Sequence, residues 1–418
     1  MVRVLHVTST FPRRTDDPTG PFLADLVAAE RAAGLDVRVL TPHAPGLEVD
    51  GEVAGVPVHR FRYGPTAGEV LAHRGGLLAA SRSMGGAAMV PAYLASMIAA
   101  TAAQVRRMSP DVVHAHWWFP AGAAVSLSGC LSGLPFVVTL HGSDVGLAAR
   151  PVLRSVSRVV LRRAAVVVAV SDALAAEAAA ITGLPPSDLG VAVMPVVVDE
   201  GLTSRPRPRL DRGVLRLVAV GRLAPEKGFD VLIDALAIID RLGLPGDTTS
   251  VVLDVVGAGP EGPQLVRQAA VLGDRVSAHF HAPMARPALH GLIASADALV
   301  VPSRREGLGL VAIEAVLLGT PIVASAVGGL CEALGAPGAS LLAGGTGRAG
   351  SGGGADIRAV PGGLLVPPGE ASVLARALRR VPGLARPSGA ALTGAARHSP
   401  AAVAERYAGL YERAARDC

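Results

Sequence analysis

The chain contains no asparagine, and among its 39 basic residues only one, Lys227, is a lysine. Without asparagine there is no N-glycosylation sequon. The bias towards arginine reflects base composition, which makes the one retained ammonium worth following. Aromatic residues are 3% of the total, so the core has to be built from Ala, Val and Leu. Three cysteines, Cys130, Cys331 and Cys418, are odd in number and widely spaced, a usage that fits a reducing compartment and neither a disulfide scaffold nor a zinc site. The opening "MVRVLHVTSTFPRR" reads as a short strand running into a polar loop, and no secretory signal is expected. The longest membrane candidate, residues 87–103, has 17 residues with Pro91 inside it. That is short of the roughly 20 residues a span needs. A buried or half-buried helix is the expected outcome, an interfacial amphipathic helix the alternative. The expected location is cytoplasmic, with no more than weak peripheral contact at the inner face of the membrane.

What is present indicates a folded chain of two domains. Its 418 residues exceed the roughly 100–200 of a single domain, and half of them are apolar, which excludes overall disorder. The 50 glycines and 32 prolines have no three-residue period, so the chain is not collagen-like. Net charge is +5, but residues 1–200 carry 16 charges of each sign, and part of the later excess lies in "SRPRPRLDRG". No basic stripe forms, and nucleic acid is not an expected partner.

Short Val- and Ile-rich runs alternate with helical patterns from end to end. Strands are predicted at 2–7, 36–41, 111–115, 136–140 and 165–170, with helices at 21–33, from about 121, at 152–163 and at 172–182. Strands without polar alternation belong to parallel sheets covered on both faces. The stretch 195–213 interrupts this rhythm, because Pro206 and Pro208 fit neither a central strand nor a helix interior. A second series follows, with strands at 215–220, 251–256, 276–280, 298–301 and 321–324 and helices at 228–241, 262–272, 286–294 and 310–318. The expected fold class is therefore α/β, with two Rossmann-like doubly wound domains facing across a cleft. Their expected bounds are residues 1–197 and 214–400, joined by a linker at 198–213. Residues 335–359, which include "GGTGRAGSGGGAD", read as a disordered surface insert. Residues 401–418 read as an amphipathic helix whose docking surface the sequence leaves open.

The chemistry-bearing residues gather at the carboxyl ends of strands, where α/β sheets bind ligands. In "VVPSRREGLGLVAIEAVLLGTPIVASAVGG" a strand gives way to a Gly-containing turn and a helix beginning near Leu310. The amides of Gly309, Leu310 and Val311 form an anion site there, favoured by hydrogen bonding and by the helix dipole. Glu306 in the loop and Glu314 just over one turn into the helix suit hydroxyls on either side of a diphosphate, since carboxylates accept from hydroxyls and repel phosphate. An ordinary surface role remains open for Glu314. In "LRLVAVGRLAPEKGFDVLIDAL" the loop after a strand carries Arg222 and Lys227, two cations for a diphosphate that gains negative charge as it leaves.

Two further segments surround histidines. "VVTLHGSDVG" places His141 and Asp144 just past a strand, and "VVHAHWWFPAG" places His114 and His116 on one strand face, followed by Trp117 and Trp118. The spacing of His114 and His116 could begin a zinc site, yet no further ligands follow and no Asp-x-Asp pair exists to hold a divalent cation, so no metal is expected. His141 either borders a ligand or is a satisfied core histidine. Gly20, beside the first helix, is a weak phosphate signal. The dinucleotide fingerprint G-x-G-x-x-G is missing, the nearest approach being Gly257 and Gly259 in "VVGAGPEGPQL", which argues against a dehydrogenase.

Taken together these segments resemble the retaining glycosyltransferases of the GT-B architecture, in the group of bacterial family 4 and the glycogen synthases. The resemblance covers essentially the whole chain. Its most specific element is the Glu, seven residues, Glu pattern in "PSRREGLGLVAIEA", supported by "VGRLAPEKGFDVLIDAL", "THGSD" and "GGLLVPPGE". It implies a nucleotide diphosphate sugar of UDP or GDP type as donor, held by the second domain, and an acceptor hydroxyl held by the first. It further implies that Glu306 contacts donor-sugar hydroxyls and Glu314 the ribose, and that Arg222 and Lys227 hold the diphosphate with help from the amides near Leu310 and Val311 and from the Gly20 loop. His141 is then placed beside the reacting sugar and Asp144 near the acceptor or the adjoining loop. Catalysis is implied to be metal-independent and to proceed on the front face, the leaving phosphate oxygen helping to deprotonate the acceptor.

Two departures stand out: Pro195-Val196-Val197-Val198-Asp199 where Pro-Asn-Gly-Val-Asp is frequent, and Ala282 where glycine is usual. Members with "PHAPG", "FRYGP" and "HAHWWFPAG" are linked to cell-envelope polysaccharide, glycolipid or natural-product assembly. A sugar, cyclitol, lipid-linked or small-molecule acceptor is expected, over a pocket of Trp117, Trp118, Tyr63 and Arg62, unless the tryptophans are simply core. Two other functions share the frame: a nucleotide-sugar epimerase or phosphorylase, for whose pyridoxal cofactor Lys227 would be the only lysine, and a non-catalytic nucleotide-sugar sensor.

Overall fold

Two parallel-rich sheets organise the chain, which the computed structural model describes for residues 2–15, 17, 19–65, 69, 84–128, 133–203, 213–338 and 357–416. Most of the expected insert (339–356) and of the expected linker (204–212), together with Cys130 and Cys418, lies outside the described residues. The chain forms two units, one of Met1–Pro195 with His398–Cys418 and one of Val196–Arg397.

In the first unit the strands are β1 (Arg3–Val7), β2 (Asp36–Pro42), β3 (Asp50–Val53), β4 (Val56–Phe61), β5 (Val112–His116), β6 (Phe136–Leu140), β7 (Val166–Ala169) and β8 (Leu189–Val191). Their order is β3-β4-β2-β1-β5-β6-β7-β8, and all pairs are parallel except the hairpin β3–β4. The hairpin and β8 escape a search for continuous apolar runs because β3 is polar and mostly exposed and β8 has only three residues. Helices form where the ends are chemically marked. The helix Asp172–Thr182 is capped by the Ser171 hydroxyl, which accepts from the Leu174 amide at 3.2 Å, and stops at left-handed Gly183. The helix Met84–Met108 is longer than expected, running through Pro91. Among the described residues no helix is long and apolar enough to cross a membrane.

The C-terminal helix, Pro400–Arg416, belongs to this first unit. Val403, Tyr407, Leu410, Tyr411 and Ala414 recur every three or four residues and are all buried, against the first helix (Pro21–Ala32) and strands β5 and β6. Tyr407 donates to the Ala192 carbonyl at 3.2 Å and Tyr411 to a Glu30 carboxylate oxygen at 2.6 Å. The helix thus carries two polar anchors into an apolar seam.

In the second unit the strands are β9 (Val214–Val220), β10 (Ser250–Val256), β11 (Val276–His281), β12 (Ala298–Val301), β13 (Ile322–Ser325), β14 (Arg358–Val360) and β15 (Gly363–Val366). Their order is β11-β10-β9-β12-β13-β15-β14, parallel except at the edge pair β14–β15. Leu217, Ala219, Leu253 and Val300 on the sheet pack with Leu232, Leu236 and Ile239 of the helix Phe229–Leu242. In each sheet the chain winds first one way and then the other, so the order reverses between β1 and β5 and between β9 and β12. A ligand crevice opens at such a switch point, past the carboxyl ends of the strands.

Candidate active site

At the switch point of the second unit, the loops after β9 and β12 are locked together through backbone. The amides of Arg304 and Arg305 both donate to the Glu226 carbonyl, at 2.8 and 3.3 Å, and the Arg304 guanidinium clasps Asp230 at 2.6 and 2.8 Å. Gly228, left-handed at φ 65°, lies so close to β12 that a Cβ would come within 2.2 Å of the Pro302 carbonyl oxygen. Gly328 does the same from the next loop, where at φ 49° a Cβ would stand 1.8 Å from the Glu306 carbonyl oxygen. No side chain fits at either position, so glycine there fixes the height of the loops that carry Lys227 and Glu306.

On this frame Lys227 Nζ donates to Glu306 Oε2 at 2.7 Å, and the Ser303 hydroxyl donates to the same oxygen at 3.1 Å. Both side chains of the ion pair are partly exposed, which leaves them accessible to a ligand. Arg222 pairs with Glu226 on the same loop. The helix Leu310–Leu317 opens at left-handed Gly309 with no side-chain cap, so its first-turn amides at Leu310 and Val311 keep their capacity for an anion. Glu314 lies further along that helix, with the buried His290 ring nitrogen 3.9 Å from its carboxylate.

The first unit holds a different constellation at its own switch point. Parallel pairing sets His6 of β1 beside His114 of β5, and His116 beside Thr139 of β6. His6 Nδ1 meets His116 Nε2 at 2.9 Å, and His116 Nδ1 meets His141 Nε2 at 3.2 Å. His6 Nε2 reaches the buried Glu30 carboxylate at 2.7 Å, while His114 bridges the Tyr411 hydroxyl at 2.8 Å and the Thr139 hydroxyl at 2.7 Å. The ligand atoms of His6, His114 and His116 lie within 4.8 Å of one another. All six of their ring nitrogens are nonetheless engaged in hydrogen bonds, so the group is satisfied as a polar network without an ion. Desolvation pushes His114, His116 and His141 below the usual imidazole range.

Asp144 is 2% exposed, and its two oxygens accept the amides of His141 (3.1 Å), Gly142 (3.0 Å) and Trp118 (3.2 Å). Burial pushes its carboxyl up in pKa, and these backbone donors oppose the shift. It staples the loop after β5 to the loop after β6.

Residues 19–196 match the family description "Glycosyl transferase 4-like domain" and residues 203–343 match "Glycosyl transferases group 1". Glycogen synthase of Mycobacterium tuberculosis is 31% identical over 353 residues, covering 80% of each chain. The chain belongs to this glycosyltransferase family. It is an enzyme that transfers a sugar from a nucleotide-sugar donor to an acceptor. A D-inositol 3-phosphate glycosyltransferase of Actinosynnema mirum is 37% identical over 242 residues, 53% of this chain and 57% of that one. Among solved structures, HepE of Anabaena in complex with UDP and glucose shares the fold, with a TM-score of 0.66 at 20% identity over 99% of this chain and 100% of that one.

Within this glycosyltransferase, Arg222, Lys227, Glu306, Leu310, Val311 and Glu314 all lie around the β9/β12 switch point or on the helix leaving it. His141 and Asp144 come together in the first unit, and Gly20 caps the first helix in left-handed conformation at φ 66°, with the Phe22 ring tilted against the His141 ring at 5.5 Å between centroids. Part of the expected acceptor pocket is corrected. Trp118 is 1% and Tyr63 3% exposed, Trp118 donates its indole N–H to the Asp144 carbonyl at 2.6 Å, and Tyr63 packs on Phe61 and Tyr93. Both are core, because a ring on the inward side of its backbone is covered whatever its affinity for sugars. Trp117 is only partly buried and lies 4.4 Å from the His141 ring, while Arg62 is half exposed and paired with Glu69. Ser303, His6 and Glu30 were not singled out from the sequence. His6 and Glu30 look like ordinary members of an apolar strand and an amphipathic helix, and only the pairing of β1 with β5 joins them to His116.

Proposed function

We propose that the enzyme is a retaining hexosyltransferase that takes a hexose from a uridine diphosphate donor, or a guanosine one, and places it on a hydroxyl of a sugar, cyclitol or lipid-linked acceptor. The observation that carries this reading is the Lys227–Glu306 pair beside the uncapped helix at Gly309. A cation, a carboxylate and free amides within one loop cluster match a diphosphate joined to a hydroxyl-rich ring. In this reading Arg222, Lys227 and the Leu310 and Val311 amides hold the diphosphate, Glu306 binds sugar hydroxyls, and Glu314 takes the ribose. The Gly20 loop borders the phosphates, His141 accepts from a substrate hydroxyl, and Asp144 positions the His141 loop. The anomeric C–O bond to the diphosphate breaks, the acceptor oxygen bonds the same face, and its proton passes to the departing phosphate oxygen. HepE, solved with UDP and glucose, supports uridine, and the inositol phosphate transferase supports a cyclitol acceptor.

Two cations and helix amides supply the positive charge that a metal would otherwise bring to the leaving group, so turnover is expected to persist in excess EDTA. The test is a screen of nucleotide sugars for hydrolysis without acceptor, run in chelator, followed by acceptor screening and NMR of the product's anomeric centre. A uridine or guanosine diphosphate hexose should be consumed and its configuration kept. Loss of turnover in EDTA with recovery in manganese or magnesium would overturn this reading of the site.

The partner surface is proposed as well. The helix Pro151–Arg163 exposes Val152, Val156 and Val159 alongside Arg154, Arg158, Arg162 and Arg163, and contains no acidic residue. Valines flanked by arginines on a solvent-facing helix complement an anionic lipid surface, at about 1 kcal/mol per basic residue near the headgroups. The proposed location is therefore the cytoplasmic face of a membrane. The protein should float with phosphatidylglycerol vesicles at low salt and not with phosphatidylcholine alone, and Arg158→Gln with Arg162→Gln should release it. Equal binding to both lipids would contradict this surface.

A further inference from the structure

We propose that Glu30, His6, His116 and His141 form one directionally ordered hydrogen-bond chain, in which the buried Glu30 carboxylate decides which nitrogen of His141 carries the proton. The proposal rests on the reading that His141 meets substrate.

Glu30 is fully buried in the first helix. One of its oxygens accepts the Tyr411 hydroxyl at 2.6 Å, and the other faces His6 Nε2 at 2.7 Å. An ionised carboxylate has no proton to give, so His6 must carry its own on Nε2. In the neutral ring that the proposal assigns to His6, Nδ1 is then bare and accepts from His116 Nε2, 2.9 Å away. By the same step His116 Nδ1 is bare and accepts from His141 Nε2 at 3.2 Å. Three imidazoles are thereby ordered in one sense, and His141 is left with a bare Nδ1, an acceptor for a substrate hydroxyl. Reversal of the chain would require one further proton on the Glu30–His6 pair, on the carboxylate or on His6 Nδ1, and would turn His141 Nδ1 into a donor.

The neighbouring groups are consistent with this order. Burial and the Glu30 charge both raise the Tyr411 phenol, keeping its proton in place to donate. Tyr411 therefore accepts from His114 Nδ1, and His114 Nε2 accepts from the Thr139 hydroxyl. Tyr407 donates to a carbonyl and does not compete. Asp144, the other buried carboxylate near His141, is occupied by backbone amides. Desolvation holds His116 and His141 in their neutral forms, in which a tautomer is defined. A carboxylate that acts on an imidazole through its far nitrogen is a positioning group, as in the Asp-His pair of serine hydrolases. Here the influence is passed through two further rings.

The test uses the full-length protein labelled with 15N-histidine, with ring nitrogen–proton correlation spectra assigned by His141→Gln. In the unsubstituted protein, His116 and His141 should each show a protonated Nε2 and a bare Nδ1. Glu30→Gln removes the charge and should shift His141 to a mixture of tautomers, lowering kcat about tenfold or more while donor KM changes far less. If Glu30→Gln does not fold, the unsubstituted spectrum and Tyr411→Phe, which deprives Glu30 of a donor, carry the same test. A proton on His141 Nδ1 in the unsubstituted protein, or a Glu30→Gln variant with unaltered tautomer, overturns the ordering. An altered tautomer with unaltered kcat overturns its service to turnover. Unchanged kinetics in His141→Gln would instead remove His141 from the substrate and leave the spectra as they are, so the two readings fail separately.

Discussion

Replacing Lys227 by alanine is expected to lower kcat by about 100-fold or more, with a smaller loss of donor affinity. In the proposed site the ammonium would matter most when the diphosphate oxygen takes on charge as the bond to carbon breaks, which is a transition-state effect. The geometry adds a second consequence. Lys227 Nζ lies 2.7 Å from Glu306 Oε2, and without it, among the described residues, only the Ser303 hydroxyl still engages that oxygen. The substitution therefore removes a charge from the proposed phosphate site and unsettles the carboxylate that the proposal gives to the sugar. Stability should change little, because a partly exposed ion pair is worth no more than about 1 kcal/mol. A variant with an unchanged melting temperature and near-normal turnover would place the diphosphate elsewhere.

Much of this candidate cluster was legible because its parts fall on only two loops, although Lys227 and Glu306 are 79 positions apart. Arg222 and Lys227 fall on the loop after one predicted strand, and Glu306, Leu310 and Val311 on the loop and helix after another. Their meeting required only that the two strands be neighbours, as β9 and β12 are. What stayed hidden depends on register and close approach. Nothing local to His6 says that β1 lies between β2 and β5, or that Glu30 and Tyr411, 381 positions apart, share a hydrogen bond beneath it. Gly228 and Gly328 look like turn residues in sequence, and their role as contact points for Pro302 and Glu306 appears only when the loops are folded against one another. The same limit explains the acceptor side. Trp117 and Trp118 are adjacent, yet a left-handed backbone at Trp117, φ 68°, turns the two indoles into different surroundings, one core and one partly open. The C-terminal helix was readable as amphipathic from Val403, Tyr407, Leu410 and Tyr411, and its partner was not, because an apolar face does not name the surface that covers it.

In the proposed reading this loop cluster divides a nucleotide sugar, with phosphate on Lys227 and the helix amides and the sugar on Glu306. Calorimetric titration of Glu306→Gln with UDP and with the preferred UDP-hexose tests it most directly. Loss of a charged acceptor from sugar hydroxyls should weaken the nucleotide sugar by about 1.5–3 kcal/mol. Affinity for free UDP should be unchanged or slightly raised, since Lys227 is released from its carboxylate partner to the phosphates. Equal weakening of UDP and UDP-hexose would contradict the account, because Glu306 would then be serving the nucleotide or the loop and not the sugar.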